Sequence, residues 1–360
     1  MRCQFRKNPA LFFLFLCMSL LTIFAQAQQP PACIPPPSGM TAWWRADGSA
    51  TDVVGGNDGS FVGGASFTPT SCAPGSAECG MVGQAFSLDG TTGYALIPSS
   101  AALQPTTAIS IDAWVYPTTF TGPGSFGGRV IISKYNSFYP PTRAESWLLM
   151  VRESGRVVWE VQDAQPSSYQ VVITDAPLTV GAWSHVAATF DTATQAIAVY
   201  INGQEVPTSC EPGSVCGPVT KIQQSLASVM IGAATFNSLP GVGAFWSGQI
   251  DGAEIFNRAL SDREIQAIFN AGSAGKCRTA TFTSTLTDIN NTRRLGLIDS
   301  NDLANSLSQK IHAAQTATIS TRHNILIAFK NEVTAQAGTH ITGLAVQMLL
   351  QDANTLLSQN

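Results

Sequence analysis

The stretch "IDGAEIFNRALSDREIQAIFNAGSAGKC", residues 250–277, decides how this chain folds. It reads as a strand running to Phe256, a turn, one short helix and a cysteine. Ser261 is placed to cap the helix and Glu264 to reach back to it, while Leu260 and Ile265 occupy the hydrophobic-staple positions. Ile265, Ile268 and Phe269 fall on one helical stripe, and Gly272 stands where the helix should stop. So short a helix does not hold by itself in water, and it must lie against a larger body.

That body precedes it. From about residue 40 to residue 257, short apolar runs such as "AISIDAWVYP", "RVVWEVQD" and "WSHVAATFD" alternate with turn signals, the pattern of an antiparallel sandwich. In "AIAVYINGQEV", residues 196–206, Ile197, Val199 and Ile201 alternate to one face, and Asn202-Gly203 supplies the positive φ of a type I′ hairpin turn. Beyond Cys277 the period becomes helical, with Leu303, Leu307 and Ile311 on one stripe and Leu326, Phe329 and Val333 on another. Ser300, Ser320 or Thr321, and Thr342 serve as caps, and Gly338 breaks the third of four expected helices.

At the other end, Arg2, Arg6 and Lys7 precede an apolar run from Leu11 to Phe24, and Ala25-Gln26-Ala27 has the small-residue pattern of a cleavage site. The run is too short to cross a bilayer, so residues 1–27 read as a signal peptide and the protein is expected to be exported. No cysteine follows the cleavage point closely enough for a lipid anchor. Without the leader, 16 basic residues face 23 acidic ones, a net charge of −7 that makes nucleic acid an unsuitable partner.

Six cysteines remain in an oxidising compartment, and three disulfides are expected among the fifteen formal pairings. Cys72 and Cys79 flank "APGSAE" and Cys210 and Cys216 flank "EPGSV", both inserts being turn formers that fold a short loop back on itself. Cys33 and Cys277 are then left to pair. Zinc is the rival use of these thiols, but no C-x-x-C pair is followed by a second.

Six segments carry a family resemblance: "GMTAWWRADGSATDVVGGNDGSFVGGASF", "GQAFSLDGTTGYALIP", "AISIDAWVYPT", "WSHVAATFD", "AVYINGQEV" and "GQIDGAEIFNRALSDREIQAIFNAGSAGKC". Together they resemble the LamG-like (laminin G type 3) jelly roll of the concanavalin A-like lectin and glucanase superfamily. The resemblance implies an all-β jelly-roll sandwich of two antiparallel sheets, with the opening stretch as its last strand and closing helix. The tail, through "AFKNEVTAQAGTHIT", is similar to the FIMAH-type helical domain of secreted bacterial proteins and implies a small all-α bundle. The expected organisation is a signal peptide at 1–27, a Pro-rich linker at 28–37, the LamG-like domain at 38–278 and the helical domain at 279–360.

Catalysis finds little support. Hydrolases of this superfamily carry Glu-x-Asp-x-x-Glu or a close variant on one strand, and no such run exists here. Glu160 and Asp163 are nearest, but a spacing of three on a strand sends them to opposite faces. No G-x-S-x-G elbow appears. His185 is expected as a structural strand histidine, and His312, His323 and His340 lack the paired spacing of metal ligands.

Binding is better served. A structural calcium ion needs six to eight oxygens, and "ADGSATDVVGGNDG" offers Asp47, Asp52, Asn57 and Asp58 among glycines. Asp251, at the start of the closing strand, joins Asp47, Asp52 and Asn57 as the expected metal set through the family resemblance, although Asp-Gly and Asn-Asp-Gly also form turns without an ion. Asp89 reads as such a turn. For ligands, "KYNSFYPPTRAESW" is the richest loop: Tyr135, Asn136, Phe138, Tyr139 and Arg143 offer rings for sugar faces and polar groups for hydroxyls. Trp43, Trp44, Trp114, Trp159 and Trp183 lie in strand patterns and are expected in the core. The expectation is a secreted, non-enzymatic bacterial protein that binds carbohydrate or another extracellular ligand, its helical domain docking a second protein. The alternatives are a glycoside hydrolase and a structural or adhesive module with no small ligand.

Overall fold

The computed structural model describes residues 33–359 apart from 71–72, 126, 138–143, 166–167, 215, 237–240, 278–279 and 295. Its strands in chain order are β1 (Met40–Trp44), β2 (Ser60–Val62), β3 (Ser66–Phe67), β4 (Phe86–Asp89), β5 (Tyr94–Ile97), β6 (Ala108–Pro117), β7 (Gly128–Lys134), β8 (Trp147–Arg152) and β9 (Arg156–Gln162). They continue as β10 (Tyr169–Pro177), β11 (Ser184–Asp191), β12 (Ala196–Ile201), β13 (Gln204–Val206), β14 (Thr208–Cys210), β15 (Val229–Ile231), β16 (Ala234–Thr235), β17 (Val242–Gly243) and β18 (Ser247–Phe256). All sheet pairings are antiparallel. One sheet runs β13-β12-β11-β6-β18-β4-β3 with β1 also paired to β18; the other runs β14-β10-β9-β8-β7-β15-β5-β2. These are the two sheets of the expected jelly roll.

Period-two alternation fills the space between them. Ile109, Ile111, Ala113 and Val115 of β6 meet Trp147, Leu149 and Val151 of β8 and Val157, Trp159 and Val161 of β9 in one core. Two indoles of this core have their N–H groups satisfied: Trp44 donates to the Asn57 carbonyl at 2.9 Å and Trp159 to that of Thr189 at 3.1 Å. Truncating either to alanine costs about 3–5 kcal/mol by the usual penalty for emptied aromatic sites. Trp183 departs from expectation: just before β11 its side chain is half-exposed, donates to the Ser76 carbonyl at 3.0 Å and lies against Tyr116.

The β12–β13 hairpin has the predicted turn, with Asn202 at φ 53°, Gly203 at φ 75° and Ile201 opposite Gln204. A side chain at Gly203 would also press into the Phe269 ring, so the position needs glycine twice over.

The closing stretch behaves as read. β18 sits between β6 and β4, and helix α1 (Asp262–Ala271) follows it with both halves of the capping box in place. Leu260, Ile265 and Ile268 bury against Ala187, Tyr200 and Phe256 on the outer face of the first sheet. Cys277 then bonds to Cys33, and the backbone on either side is knitted by Ile34 N–H to the Gly275 carbonyl and Cys277 N–H to the Ile34 carbonyl. The segment read as a linker is therefore held to the closing segment from Cys33 onward. Cys210 bonds to Cys216, and Cys79 is disulfide-bonded; Cys72, its expected partner, lies outside the described residues.

Four helices follow: α2 (Phe282–Arg294), α3 (Asn301–Thr316), α4 (Ile319–Ala335) and α5 (Gly343–Ser358). Leu303, Leu307, Ile311, Leu326, Phe329 and Val333 pack in one core with Ile289 and Leu349. Ser300 caps α3 by accepting the Leu303 N–H at 3.2 Å. α4 starts earlier than expected, with Thr318 rather than Ser320 or Thr321 at its N-cap. Gln351 of α5 donates to the Lys276 carbonyl at 3.0 Å, joining the bundle to the segment that closes the sandwich.

Candidate functional site

The second sheet is apolar on its outer face as well as its inner one. Val130 of β7, Leu148 and Met150 of β8, Val158 of β9, and Val171 and Ile173 of β10 are buried there with Ala234 and Ala244 of the β16–β17 hairpin region. Tyr135, Tyr169 and Phe236 lie half-buried around this patch, the Tyr135 and Phe236 rings 5.7 Å apart. Alternation along β9 turns Val157, Trp159 and Val161 inward and leaves Val158, Glu160 and Gln162 on this outer face.

Glu160 stands opposite Leu148 on one side and Val171 on the other, and Gln162 stands opposite Tyr169. The Gln162 amide donates to the Glu160 carboxylate, and the Tyr135 hydroxyl is hydrogen-bonded to it as well. Burial, reinforced by the like charges of Glu145 and Glu211, pushes the Glu160 carboxyl up to about 7 despite those hydrogen bonds. Burial and the same carboxylate raise the Tyr135 phenol well above its ordinary range. Glu211 is ion-paired with Arg152 of β8. Half-buried rings beside a carboxyl and an amide can stack on the C–H faces of a sugar while bonding its hydroxyls.

Of the residues predicted for ligand binding, Tyr135 is on this sheet face and Asn136 follows it, bridged to Thr235. Phe138, Tyr139 and Arg143 lie outside the described residues. Sequence reasoning passed over Tyr169, Phe236 and Gln162. The alternation of "RVVWEVQ" already puts Glu160 and Gln162 on one face, but only the order β7-β8-β9-β10 brings Tyr135 and Tyr169 to them. Asp163 faces elsewhere, accepting the Lys221 N–H at 3.2 Å and the Thr220 hydroxyl at 3.1 Å.

The residues expected to share a calcium ion each have protein partners. Asp52 is buried and accepts five N–H bonds, from the backbones of Trp43, Val54, Gly55 and Asn57 and from the Asn57 amide, at 2.7–3.1 Å. Asn57 Oδ1 accepts from Ser100, and Asp58 accepts the Asp52 N–H. Asp47 pairs with Arg45 at 2.7 Å and accepts the Gln84 N–H, while Asp251 accepts that of Val82. Among the described residues, no three His, Cys, Asp or Glu side chains are placed to hold a metal ion. Asp89 accepts the N–H groups of Thr91, Thr92 and Gly93, as an Asp-Gly turn requires.

A second polar cluster lies on the outer face of the first sheet. His185 Nε2 and Asp112 Oδ2 are 3.0 Å apart, and Lys276 Nζ is 3.3 Å from Asp112 and 3.0 Å from Glu254, all four side chains being buried. Burial raises Asp112, but Lys276 and His185 outweigh it and hold the carboxyl well below the usual range. Burial and the charge of Asp112 instead push Glu254 well above it. The signal was present as lone charges inside the apolar strands "AISIDAWVYP" and "IDGAEIF". Trp43 and Trp114 line a pocket beside Glu254 and Lys276, and the Trp114 and His185 rings are 5.2 Å apart; the two Lys276 ion pairs fasten the closing segment to the sheet.

Comparison with curated proteins finds no match. Among solved structures, the chain is similar to domain 4 of AbnA, an extracellular arabinanase from Geobacillus stearothermophilus in complex with arabinotriose (18% identity, 63% of this chain and 96% of that one, TM-score 0.43). It is also similar to the binding domain of botulinum neurotoxin serotype G (14% identity, 64% and 50%, TM-score 0.45). The serotype D ligand-binding domain in complex with N-acetylneuraminic acid is a third (15% identity, 65% and 51%, TM-score 0.44). This chain spans about half the length of the two toxin domains. Residues 89–266 match the laminin G type 3 family of the concanavalin A-like lectin/glucanases superfamily, and with the two stacked sheets this identifies a concanavalin A-like jelly-roll domain.

Proposed function

We propose that this is an exported, non-catalytic bacterial protein that binds glycans on the outer face of its second sheet, around Tyr135, Glu160, Gln162, Tyr169 and Phe236. One observation carries the reading: three half-buried rings surround a hydrogen-bonded acid and amide on a sheet face turned away from the core. Export is supported by the leader-like start, by disulfides suited to an oxidising compartment, and by the finding that no described helix is long and apolar enough to cross a membrane. The helical region, read as FIMAH-like, serves to dock another protein.

A glycan array with wild type and Tyr169→Ala tests the site. Loss of one stacking ring is expected to weaken binding about tenfold, with the melting temperature nearly unchanged. Unaltered binding in the variant would remove this sheet face from the account.

A second reading, hydrolysis of a polysaccharide, is favoured by Glu160 alone, whose carboxyl near 7 has the protonation a general acid needs. Against it, Asp163 is committed to the 220–221 loop and Glu211 to Arg152. Release of reducing ends from polysaccharides by wild type, abolished in Glu160→Gln, would establish this reading over the first.

A further inference from the structure

β18 carries a surplus residue where it pairs with β6. Asp251 stands opposite Trp114 and Glu254 opposite Asp112, so three steps along one strand match two along the other, and Gly252, at φ 60°, takes up the difference. Ile250, Ala253 and Ile255 stay in the core, while Asp251 and Glu254, three apart in sequence, emerge together on the outer face. There they line a pocket with Trp43, Trp114 and Lys276, about 380 Å³ of space that is partly open to solvent. We infer that this pocket is a ligand site separate from the proposed glycan face, and that it takes a primary ammonium with a neighbouring hydroxyl.

Charge selects the ammonium. Asp251 and Glu254 are buried, and the cations that act on them are already shared. Arg45 acts on Asp251 but pairs with Asp47 at 2.7 Å; Lys276 lies 3.0 Å from Glu254 but also 3.3 Å from Asp112, which His185 adjoins. Each of these two bases thus faces two acids, an imbalance that a bound cation would offset and a bound anion would worsen. Burial, reinforced by Asp47 for Asp251 and by Asp112 for Glu254, pushes both carboxyls well above their ordinary range, as acids short of positive charge should behave. Among the described residues no three His, Cys, Asp or Glu side chains are placed to hold a metal ion, and the indole walls suit an organic cation.

Trp43 selects the hydroxyl. It is 5% exposed, and its ring already holds the Arg45 guanidinium 5.3 Å from its centre. Its Nε1–H has no hydrogen-bond partner among the described residues and is the atom that a Cβ on Gly252 would meet, at 4.0 Å, so it faces the pocket at the bulge. A donor so placed, in a ring otherwise buried, favours a ligand oxygen beside the ammonium. An amine with a hydroxyl on the adjacent carbon offers both groups at once, in a hexosamine whose amine is free and in an ethanolamine group alike.

The test titrates the full mature chain, its tryptophans labelled at the indole nitrogen, with glucosamine and ethanolamine and with their uncharged counterparts glucose and ethylene glycol, followed by NMR. The Trp43 indole signal, identified by its absence from Trp43→Phe, is expected to shift saturably with at least one amine, and at least about tenfold more weakly with its uncharged counterpart. Tighter binding of glucosamine names an amino sugar as the source and tighter binding of ethanolamine an ethanolamine group; both results support the site. Asp251→Asn keeps an oxygen for the Val82 N–H and removes the charge, and it is expected to weaken amine binding about tenfold. A Trp43 signal that answers to neither amine, uncharged counterparts that bind as tightly, or a folded Asp251→Asn that binds like wild type overturns the inference. Should that variant not fold, the comparison of each amine with its uncharged counterpart in wild type decides alone. None of these outcomes bears on the glycan face of the second sheet, which the array tests separately.

Discussion

Lys276 Nζ stands 3.3 Å from Asp112 Oδ2, joining the segment after the closing helix to a strand 164 residues earlier. The same residue pairs through its backbone with Ile34, adjoins the Cys33–Cys277 disulfide and accepts a hydrogen bond from Gln351 of the bundle. Both ends of the sandwich and the last helix of the bundle are therefore fastened at one point.

Removing that cation should be severe. Lys276→Ala leaves Asp112 buried without its principal counter-charge, and a loss of about 3–5 kcal/mol is expected in urea unfolding. Glu254→Gln should cost less than Lys276→Ala, because burial beside Asp112 pushes the Glu254 carboxyl well above its ordinary range and so disfavours its charge. Equal costs for the two variants would show that Glu254 is ionised and that the charges are arranged otherwise.

Stability should fall as pH rises toward and past neutrality, and Glu160 is a cause. Its carboxyl holds a proton up to about 7 in the folded chain, against an ordinary value of 4.5, so the folded state binds a proton that the unfolded chain has lost. That contribution is complete below the ordinary value and disappears as pH climbs through the folded one; it amounts to at most about 3 kcal/mol. Glu160→Gln is expected to flatten the slope across this window. A slope identical to that of wild type would place the titrating group elsewhere.

The Asp52 knot separates turn formation from metal binding. Asp52→Ala strips an acceptor from five N–H donors and is expected to cost about 3 kcal/mol, with the same loss in the presence of EDTA. A melting temperature of wild type that drops on adding EDTA would instead favour an ion held by Asp47, Asp52, Asn57 or Asp251.

The long disulfide should matter more than the short one. Cys33 and Cys277 are 244 residues apart, whereas Cys210 and Cys216 are 6 apart. In the loop-entropy model the former contributes up to about 5 kcal/mol and the latter less. Thermal melts of Cys277→Ser and Cys216→Ser should rank in that order; the reverse order would mean the ends are held without the bond.

The fold was legible because its signals are local. The capping box of Ser261 and Glu264, the Asn202-Gly203 turn and the alternation around Trp159 each follow from residues close in sequence, and each took the expected form. The proposed glycan face was only half legible, since Tyr135 and Tyr169 come to the face that carries Glu160 through strand order rather than chain proximity. The buried charges were missed for a related reason: Asp112 and Lys276 look unremarkable until β6 and the closing segment are packed together. The aspartates of "ADGSATDVVGGNDG" could not be assigned from sequence because a carboxylate that organises a turn, as Asp52 does, and one that holds a cation have the same composition around them.

Hydroxyl-radical footprinting of the mature protein, with and without the tightest-binding sugar from the array, tests the proposed glycan face most directly. Reduced oxidation of Tyr135, Tyr169 and Phe236 on adding the sugar, with Trp183 unchanged, is the predicted result. Protection confined to the first sheet or the helical bundle, with those three rings oxidised as before, would contradict it.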